Sequence, residues 1–424
     1  MKVFLQLERQ TQVNLAFLFA AALGFWLSMT SLLPVLPAYI QDLGATDQEV
    51  GFVMGCFAIG LLLSRAQLGK MADEKSRKLV ILIGAAVVGI APWGYIFLDS
   101  IPEMMVWRAF HGLSIAAFTT GYSALVVDLA PLENRGEVVS YMSLAIPLGM
   151  SIGPVLGGYM LGTVGYPVIF SVSALCGMAA FVFASQTHEK PRMIEVTPVL
   201  GDRPTSEIPL KPKTNRQFRE LMTDKSLYIP SLVMLFIGLL FGTLVTFLPL
   251  YIRELGINFN TGLFYGAAAI SSFSSRLLIG KASDRLGRGL FISGSLLCYA
   301  LAMVCLTHAN RPPLFIIAGV IEGVGAGTLI PMMIALMSDR SSSNERGKVY
   351  SLCIGGFDVG IAAAGFFLGT VTQTVGYQGG FAIAAGLALL AFLLFLTQGN
   401  QYVKPSLKFA IGKTGDRYAQ KFEG

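Results

Sequence analysis

Residues 64–78 read SRAQLGKMADEKSRK, and residues 275–289 read SRLLIGKASDRLGRG. Ser64, Arg65, Gly69, Lys70, Asp73 and Arg77 return as Ser275, Arg276, Gly280, Lys281, Asp284 and Arg288. The offset is roughly 211 residues, and a repeat of this length is far beyond chance. The same offset relates Asp128, Arg135 and Gly136 to Asp339, Arg346 and Gly347, and Gly112 to Gly323. Pro37-Ala-Tyr39-Ile40 is echoed by Pro249-Leu-Tyr251-Ile252, one residue out of register. The chain is therefore a direct duplication whose charged turns punctuate long apolar stretches.

Those stretches place the chain in lipid. It is 54% hydrophobic and 13% charged, with mean hydropathy +0.64, against roughly 25% charged residues in soluble domains. Apolar runs of about 20 residues, each able to cross a hydrocarbon core of about 30 Å, recur about twelve times. The expectation is an all-α membrane protein with two pseudo-symmetric six-helix halves. Residues 1–186 form the first half, 187–225 a linker, 226–400 the second half and 401–424 a tail. Spans 1–6 are expected near Val13–Tyr39, Glu49–Leu68, Leu79–Leu98, Pro102–Val127, Glu137–Gly162 and Tyr166–Gln186. Spans 7–12 follow near Leu227–Tyr251, Gly262–Gly280, Leu290–Leu306, Pro313–Met337, Val349–Thr372 and Tyr377–Leu396. In a duplicated chain of this kind, substrate and coupling-ion sites lie between the halves near the bilayer midplane.

Charge sets the orientation. Every second connection is basic, through Lys70, Lys75, Arg77 and Lys78, then Arg135, then Lys281, Arg285 and Arg288, then Arg340, Arg346 and Lys348. By the positive-inside rule these turns, the linker, the tail and both termini face the cytoplasm. The net charge of +6 then reports topology and requires no nucleic-acid partner. The basic, Pro-rich linker reads as a tether able to lie along anionic headgroups. Span 1 is longer than a secretory h-region of about 7–15 residues and reads as an uncleaved first crossing. Cys56, Cys176, Cys298, Cys305 and Cys353 all fall in apolar segments and read as free thiols.

Span 5 contains GMSIGPVLGG, residues 149–158. Gly149, Gly153 and Gly157 recur every fourth residue and form a smooth face that lets a neighbouring backbone approach. Pro154 removes a backbone donor beside it and bends the helix. Generic small-residue packing is the competing reading of the same stripe.

Together with Gly158, this pattern resembles the antiporter signature of the drug:proton antiporter branch of the major facilitator superfamily. Gly69-x-x-x-Asp73-x-x-x-Arg77-Lys78 and Gly280-x-x-x-Asp284-Arg285-x-Gly287-Arg288 resemble that superfamily's loop signature. The first copy departs from it, with Glu74 and Ser76 where the family usually has Arg and Gly. The resemblance covers essentially Val13 to Leu396. It implies a cytoplasmic gate in which Asp73 meets the start of span 11 and Asp284 the start of span 5. Arg77 would bridge Asp73 to Asp128, and Arg288 would bridge Asp284 to Asp339. An acid at a helix N-terminus gains typically about 0.3–1 kcal/mol. Topology-setting surface charge is the plainer role of the same residues.

Ionisable side chains at membrane depth are costly and default to function. Arg108 and His111 lie three apart on one face of span 4. Glu322 in span 10 is the repeat mate of His111 and is expected to face it across the pseudo-two-fold axis. Asp358 stands between Gly356 and Gly360 in span 11. Arg65 and Arg276, near inner helix ends, are expected to snorkel to the headgroups. WRAFHG around Arg108 also resembles the family's span 4 signature, with His111 and Ser114 where the family often has Gln and Gly. Desolvation favours the neutral form of a carboxyl group and a nearby guanidinium the charged form. A changing Arg108–Glu322 separation would thus couple proton binding to conformation. A static buried pair, or Asp358 as the carrier, fits the residues equally.

The family's cavity-lining spans 1, 4, 7 and 10 nominate Trp26, Ser28, Met29, Ser31, Tyr122, Thr243, Thr246, Phe247 and Met332 as an adaptable wall. The expected function is proton-coupled export of small amphipathic compounds or metabolites by alternating access. The alternative is uptake or facilitated diffusion of a polar nutrient such as a sugar or organic ion. No HExxH or Walker A sequence is present, and the one G-x-S-x-G match, residues 149–153, lies within an apolar span and not at a strand-to-helix turn, so neither an enzyme nor an ATP-driven pump is expected. No cofactor is expected, with the proton gradient supplying the energy. Partners are then a small-molecule substrate, protons and the lipid bilayer. A functional monomer in a bacterial plasma (inner) membrane completes the expectation.

Overall fold

The structure is a computed structural model. It describes residues 7–131, 135–189, 218–342 and 345–419, without the side chains of residues 218, 280, 281, 284 and 285. With no water in hydrocarbon, every backbone polar group must be satisfied within its own segment, and helices accomplish this. The described residues accordingly form long helices and no strand. Span 1 is Arg9–Ser31 continued by Leu36–Asp42, with a break before Pro37. Spans 2, 3 and 4 are Asp47–Glu74, Arg77–Phe97 and Ile101–Leu129. Span 5 is Arg135–Met142 continued by Ala145–Leu161, and span 6 is Tyr166–Ser185. Spans 7 to 10 are Lys225–Glu254, Gly262–Leu286, Arg288–Thr307 and Pro312–Asp339.

The final apolar run, Arg346–Gln398, is 53 residues long. At 1.5 Å per residue it would be about 80 Å if straight, more than twice a bilayer core. Gly376 interrupts it with φ 72° and ψ 172°, a conformation that glycine adopts without the steric penalty of a Cβ. Spans 11 and 12 therefore meet at Gly376, and the described residues contain twelve crossings. A π-helical turn, Ala364–Leu368, lies within span 11.

Local signals place several starts. Thr46 and Glu49 form a reciprocal capping box at span 2, Ser76 caps span 3, Ser100 caps span 4 and Asp224 caps span 7, each cap satisfying an otherwise orphan backbone donor.

The duplication is preserved in three dimensions. Gly112 of span 4 faces the Phe57 carbonyl of span 2, and Gly323 of span 10 faces the Ala268 carbonyl of span 8. Side chains at either glycine would collide with backbone, so the paired helices approach as only small residues permit. Tyr39 donates to the Tyr95 carbonyl at 2.9 Å, and Tyr251 donates to the Ala309 carbonyl at 2.8 Å.

Most of the 187–225 linker lies outside the described residues. At its near end Glu189 accepts from Ser76 Oγ and from the backbone N–H of Arg77 and Lys78. A short helix, Phe218–Thr223, precedes span 7.

Candidate functional site

The two halves are joined at the ends opposite the basic turns. Asp42 at the end of span 1 pairs with Arg253 at the end of span 7, and Tyr166 donates to the same carboxylate. Tyr377 donates to Asp47 at 2.6 Å and Gln48 to Thr370 at 3.0 Å, tying the start of span 2 to spans 11 and 12. Gly51 and Gly55 abut Gly365 and Ala362 of span 11. This end of the molecule is closed.

The span 5 stripe has a defined partner. Gly149, Gly153 and Gly157 pack directly on Trp26, Thr30 and Ser31 of span 1. Thr30 Oγ1 donates to the carbonyls of Trp26 and Gly149 at 2.6 and 2.8 Å, so the smooth face also carries an interhelical hydrogen bond. Beyond it, Gly262 of span 8 abuts Pro154, and Asn260 Nδ2 donates to the Val155 carbonyl at 3.3 Å. One helix thus contacts its own half through the stripe and the other half through its far end.

Toward the middle, Leu33, Ile146, Pro147, Met150, Phe241, Leu244, Phe264 and Tyr265 enclose a cavity between the halves, with Glu322 and Arg276 also in its wall. Glu322 is buried and has no hydrogen-bond or ion-pair partner among the described residues.

Arg108 and Glu322 are not brought into contact. The Arg108 guanidinium sits 4.4 Å above the Phe57 ring and 3.3 Å from His111 Nδ1, which also meets the Tyr95 hydroxyl at 3.0 Å. Arginine can only donate, so Nδ1 is the accepting nitrogen and the ring proton sits on Nε2. Neither His111 Nε2 nor Arg108 Nε finds a partner among the described residues.

Two expectations need correction. Arg65 does not snorkel: its Nη2 lies 2.8 Å from Asp358 Oδ2, with the side chains 28% and 6% exposed. The buried carboxylate on span 11 gives this guanidinium a partner within the protein. Arg276 likewise turns to the cavity and donates from Nε to the Gly327 carbonyl at 3.1 Å. In the repeat Asp358 corresponds to Pro147, so the duplicated arginine meets an acid on one side and a proline on the other.

The wall residues also differ from those expected from the sequence. None of Trp26, Ser28, Met29, Ser31, Tyr122, Thr243, Thr246, Phe247 or Met332 lines this cavity. Several of their polar groups bond elsewhere: Thr243 and Ser31 donate to their own helices, Ser28 pairs with Ser173 and Tyr122 donates to the Met142 carbonyl. The cavity is instead built largely by spans 5 and 8, with Ile146, Pro147 and Met150 on one side and Phe264, Tyr265, Ala268 and Ser272 on the other.

At the basic end, Arg77 is paired with Asp128 and donates to the Ala124 carbonyl. Arg288 grips Asp339 through two contacts, of 2.8 and 3.1 Å. Asp73 is exposed at the end of span 2, and the Asp284 side chain lies outside the described residues.

Residues 18–310 and 275–410 match the sequence model of the Major Facilitator Superfamily. The multidrug resistance protein MdtG of Escherichia coli is 25% identical over 397 residues, covering 90% of this chain and 94% of MdtG. A bacterial homologue of the human lysosomal transporter Spinster, in an inward-facing and unoccupied conformation, superposes with TM-score 0.74 at 14% identity, covering 96% of this chain and 99% of its own. The nucleoside transporter NupG superposes with TM-score 0.70 at 15% identity, covering 91% and 98%. With the duplicated loops and twelve crossings already described, these matches lead to one assignment: the chain is a transporter of the major facilitator superfamily.

Proposed function

We propose that this transporter exports small amphipathic compounds in exchange for protons. The observation that carries the reading is Glu322, a carboxyl group buried without an ion-pair partner in a largely apolar cavity between the halves, which Arg276 also lines. Isolated ionisable groups at membrane depth mark ion or proton pathways. Asp358, held by Arg65 across the halves, is the second acidic group placed to change its surroundings when the halves move. The similarity to a multidrug resistance protein over nearly the whole chain supports export and an adaptable substrate. The closed end, at Asp42–Arg253 and Asp47–Tyr377, is the extracellular end in this reading, and the basic turns and both termini face the cytoplasm.

Glu322 and Asp358 would exchange protons as the halves rock about the cavity. Arg108 and His111, packed beside Phe57 and Tyr95, would hold the first-half wall in place. Asp73, Arg77, Asp128, Asp284, Arg288 and Asp339 would bias closure at the cytoplasmic end. A substrate screen in proteoliposomes under an imposed pH gradient, following solute and protons together, tests the reading. Solute moving against a counterflow of protons is the expected result. Transport indifferent to the gradient, or moving in the same direction as protons, would overturn it.

A further inference from the structure

Residues 403–410 form a helix, Val403–Ala410, beginning five residues after span 12 ends at Gln398. A chain leaving the bilayer as a plain tail would need no such element. Here it is fastened to the second half. Ser406, Phe409 and Ala410 are buried, and the Phe409 carbonyl lies against Gly289 at the start of span 9. Arg340, at the end of span 10, donates to both oxygens of Asp416 at 2.7 and 3.1 Å and to the carbonyls of Ser226 and Gly399. The Arg340 and Asp416 side chains are 1% and 9% exposed, so the tail is locked in place beside the ends of spans 7, 9, 10 and 12.

The outer side of this helix is not polar. Val403, Leu407 and Ile411 recur every fourth residue and are 55%, 43% and 51% exposed, forming one stripe. At 100° per residue, the stripe lies between the buried face and Lys404 and Lys408, which follow it around the helix. Leu286 and Leu290, exposed at the junction of spans 8 and 9, continue the apolar surface, and Gly412 sits against both. The order around the helix is protein, apolar stripe, lysines. A helix lying in the bilayer interface needs that order, with its apolar side in the acyl boundary and its ammonium groups at the headgroups.

We infer that Val403–Ala410 is a membrane-surface helix whose Val403–Leu407–Ile411 stripe and Lys404/Lys408 pair bind the anionic phospholipid headgroup layer at the basic end of the transporter. The occupant is set by charge complementarity and position. The stripe is flanked by cations, it continues the lipid-exposed flank of spans 8 and 9, and it is tied to the ends of membrane-crossing helices. Each lysine near an anionic surface contributes about a fivefold bias toward it, so the pair contributes roughly twenty-five-fold.

The full-length chain, with its five cysteines replaced and a single cysteine at Leu407 carrying an environment-sensitive fluorophore, tests this after reconstitution. Vesicles of phosphatidylcholine alone and with phosphatidylglycerol would each carry a nitroxide near the headgroup end of the acyl chain. We expect strong nitroxide quenching that increases with phosphatidylglycerol. The exposed double variant Lys404→Gln/Lys408→Gln should lose the increase, and added salt should weaken it. Two results would overturn the inference. Weak quenching in both lipids would place the helix away from the bilayer, and strong quenching unaffected by lipid charge and by the lysines would remove the anionic headgroup as its partner.

Discussion

Arg65 Nη2 lies 2.8 Å from Asp358 Oδ2, so a guanidinium from span 2 of the first half is held by a carboxylate from span 11 of the second. Removing one member of a buried pair leaves its partner charged and desolvated, at a cost of about 3–5 kcal/mol when burial is complete. Arg65 is 28% exposed, so Asp358→Asn should cost less than that. Arg65→Gln combined with Asp358→Asn should cost less than the sum of the single changes, with a coupling of about 0.5–3 kcal/mol. Thermal unfolding of the purified wild type, singles and double closes the cycle. Additive losses would mean that the two groups do not interact.

Gly153→Leu places a side chain where Thr30 Oγ1 and the Ser31 backbone already sit. Overpacking of this kind costs typically about 1–3 kcal/mol. Spans 1 and 5 should separate, with the Thr30–Gly149 hydrogen bond lost and transport reduced. Gly153→Ala, which adds a single methyl group, should be milder. Wild-type melting and transport in the leucine variant would show that the stripe does not need close approach.

The Asp42–Arg253 pair closes the far end, with side chains 36% and 50% exposed. Exposed pairs contribute up to about 1 kcal/mol, so Asp42→Asn should raise opening at that end by no more than about fivefold. Maleimide labelling of a single cysteine placed at Ala38, in the vestibule beside the pair, reads the change. An unchanged labelling rate would assign closure to Tyr377–Asp47 and the glycine contacts instead.

Asp73 and Asp284 allow a paired test of the basic turns. If each stabilises the form closed at that end through a helix N-terminus, replacing either with Asn removes roughly 1 kcal/mol. That shifts the two-state ratio about fivefold, and the shifts should roughly add. Spin-label distances between the basic ends of spans 2 and 11 report the populations. Distributions identical to wild type in both single variants would leave these acids a topological role alone.

The duplication made much of this arrangement readable. The loop resemblance implies Arg77 beside Asp128 and Arg288 beside Asp339, and the structure has both contacts, at repeat-related positions. Matching glycines at 112 and 323 face matching carbonyls. What the repeat does not encode was hidden. Arg65 and Arg276 are repeat mates within matching Ser-Arg-x-x-x-Gly-Lys stretches, yet their surroundings differ because Asp358 has a proline, Pro147, as its repeat mate. The Arg340–Asp416 lock and the Glu189 cap involve polar residues in aperiodic flanks, where no hydrophobic pattern marks a contact. The tail helix did leave a signal in the spacing of Val403, Leu407 and Ile411 beside Lys404 and Lys408. At eight residues it falls well short of a span, so a search for crossings passes over it. The cavity wall was misplaced because hydroxyls in apolar helices bond to their own backbone as readily as they face a ligand.

The central claim concerns Glu322, and one comparison tests it most directly. Wild type and Glu322→Gln would be reconstituted with an acidic vesicle interior, while an amphipathic dye and internal pH are followed together. The account predicts that wild type accumulates dye as protons leave, and that Glu322→Gln, at equal protein density, loses both gradient-driven fluxes while still exchanging dye across the membrane without a gradient. Gradient-driven accumulation in Glu322→Gln at the wild-type rate would contradict it.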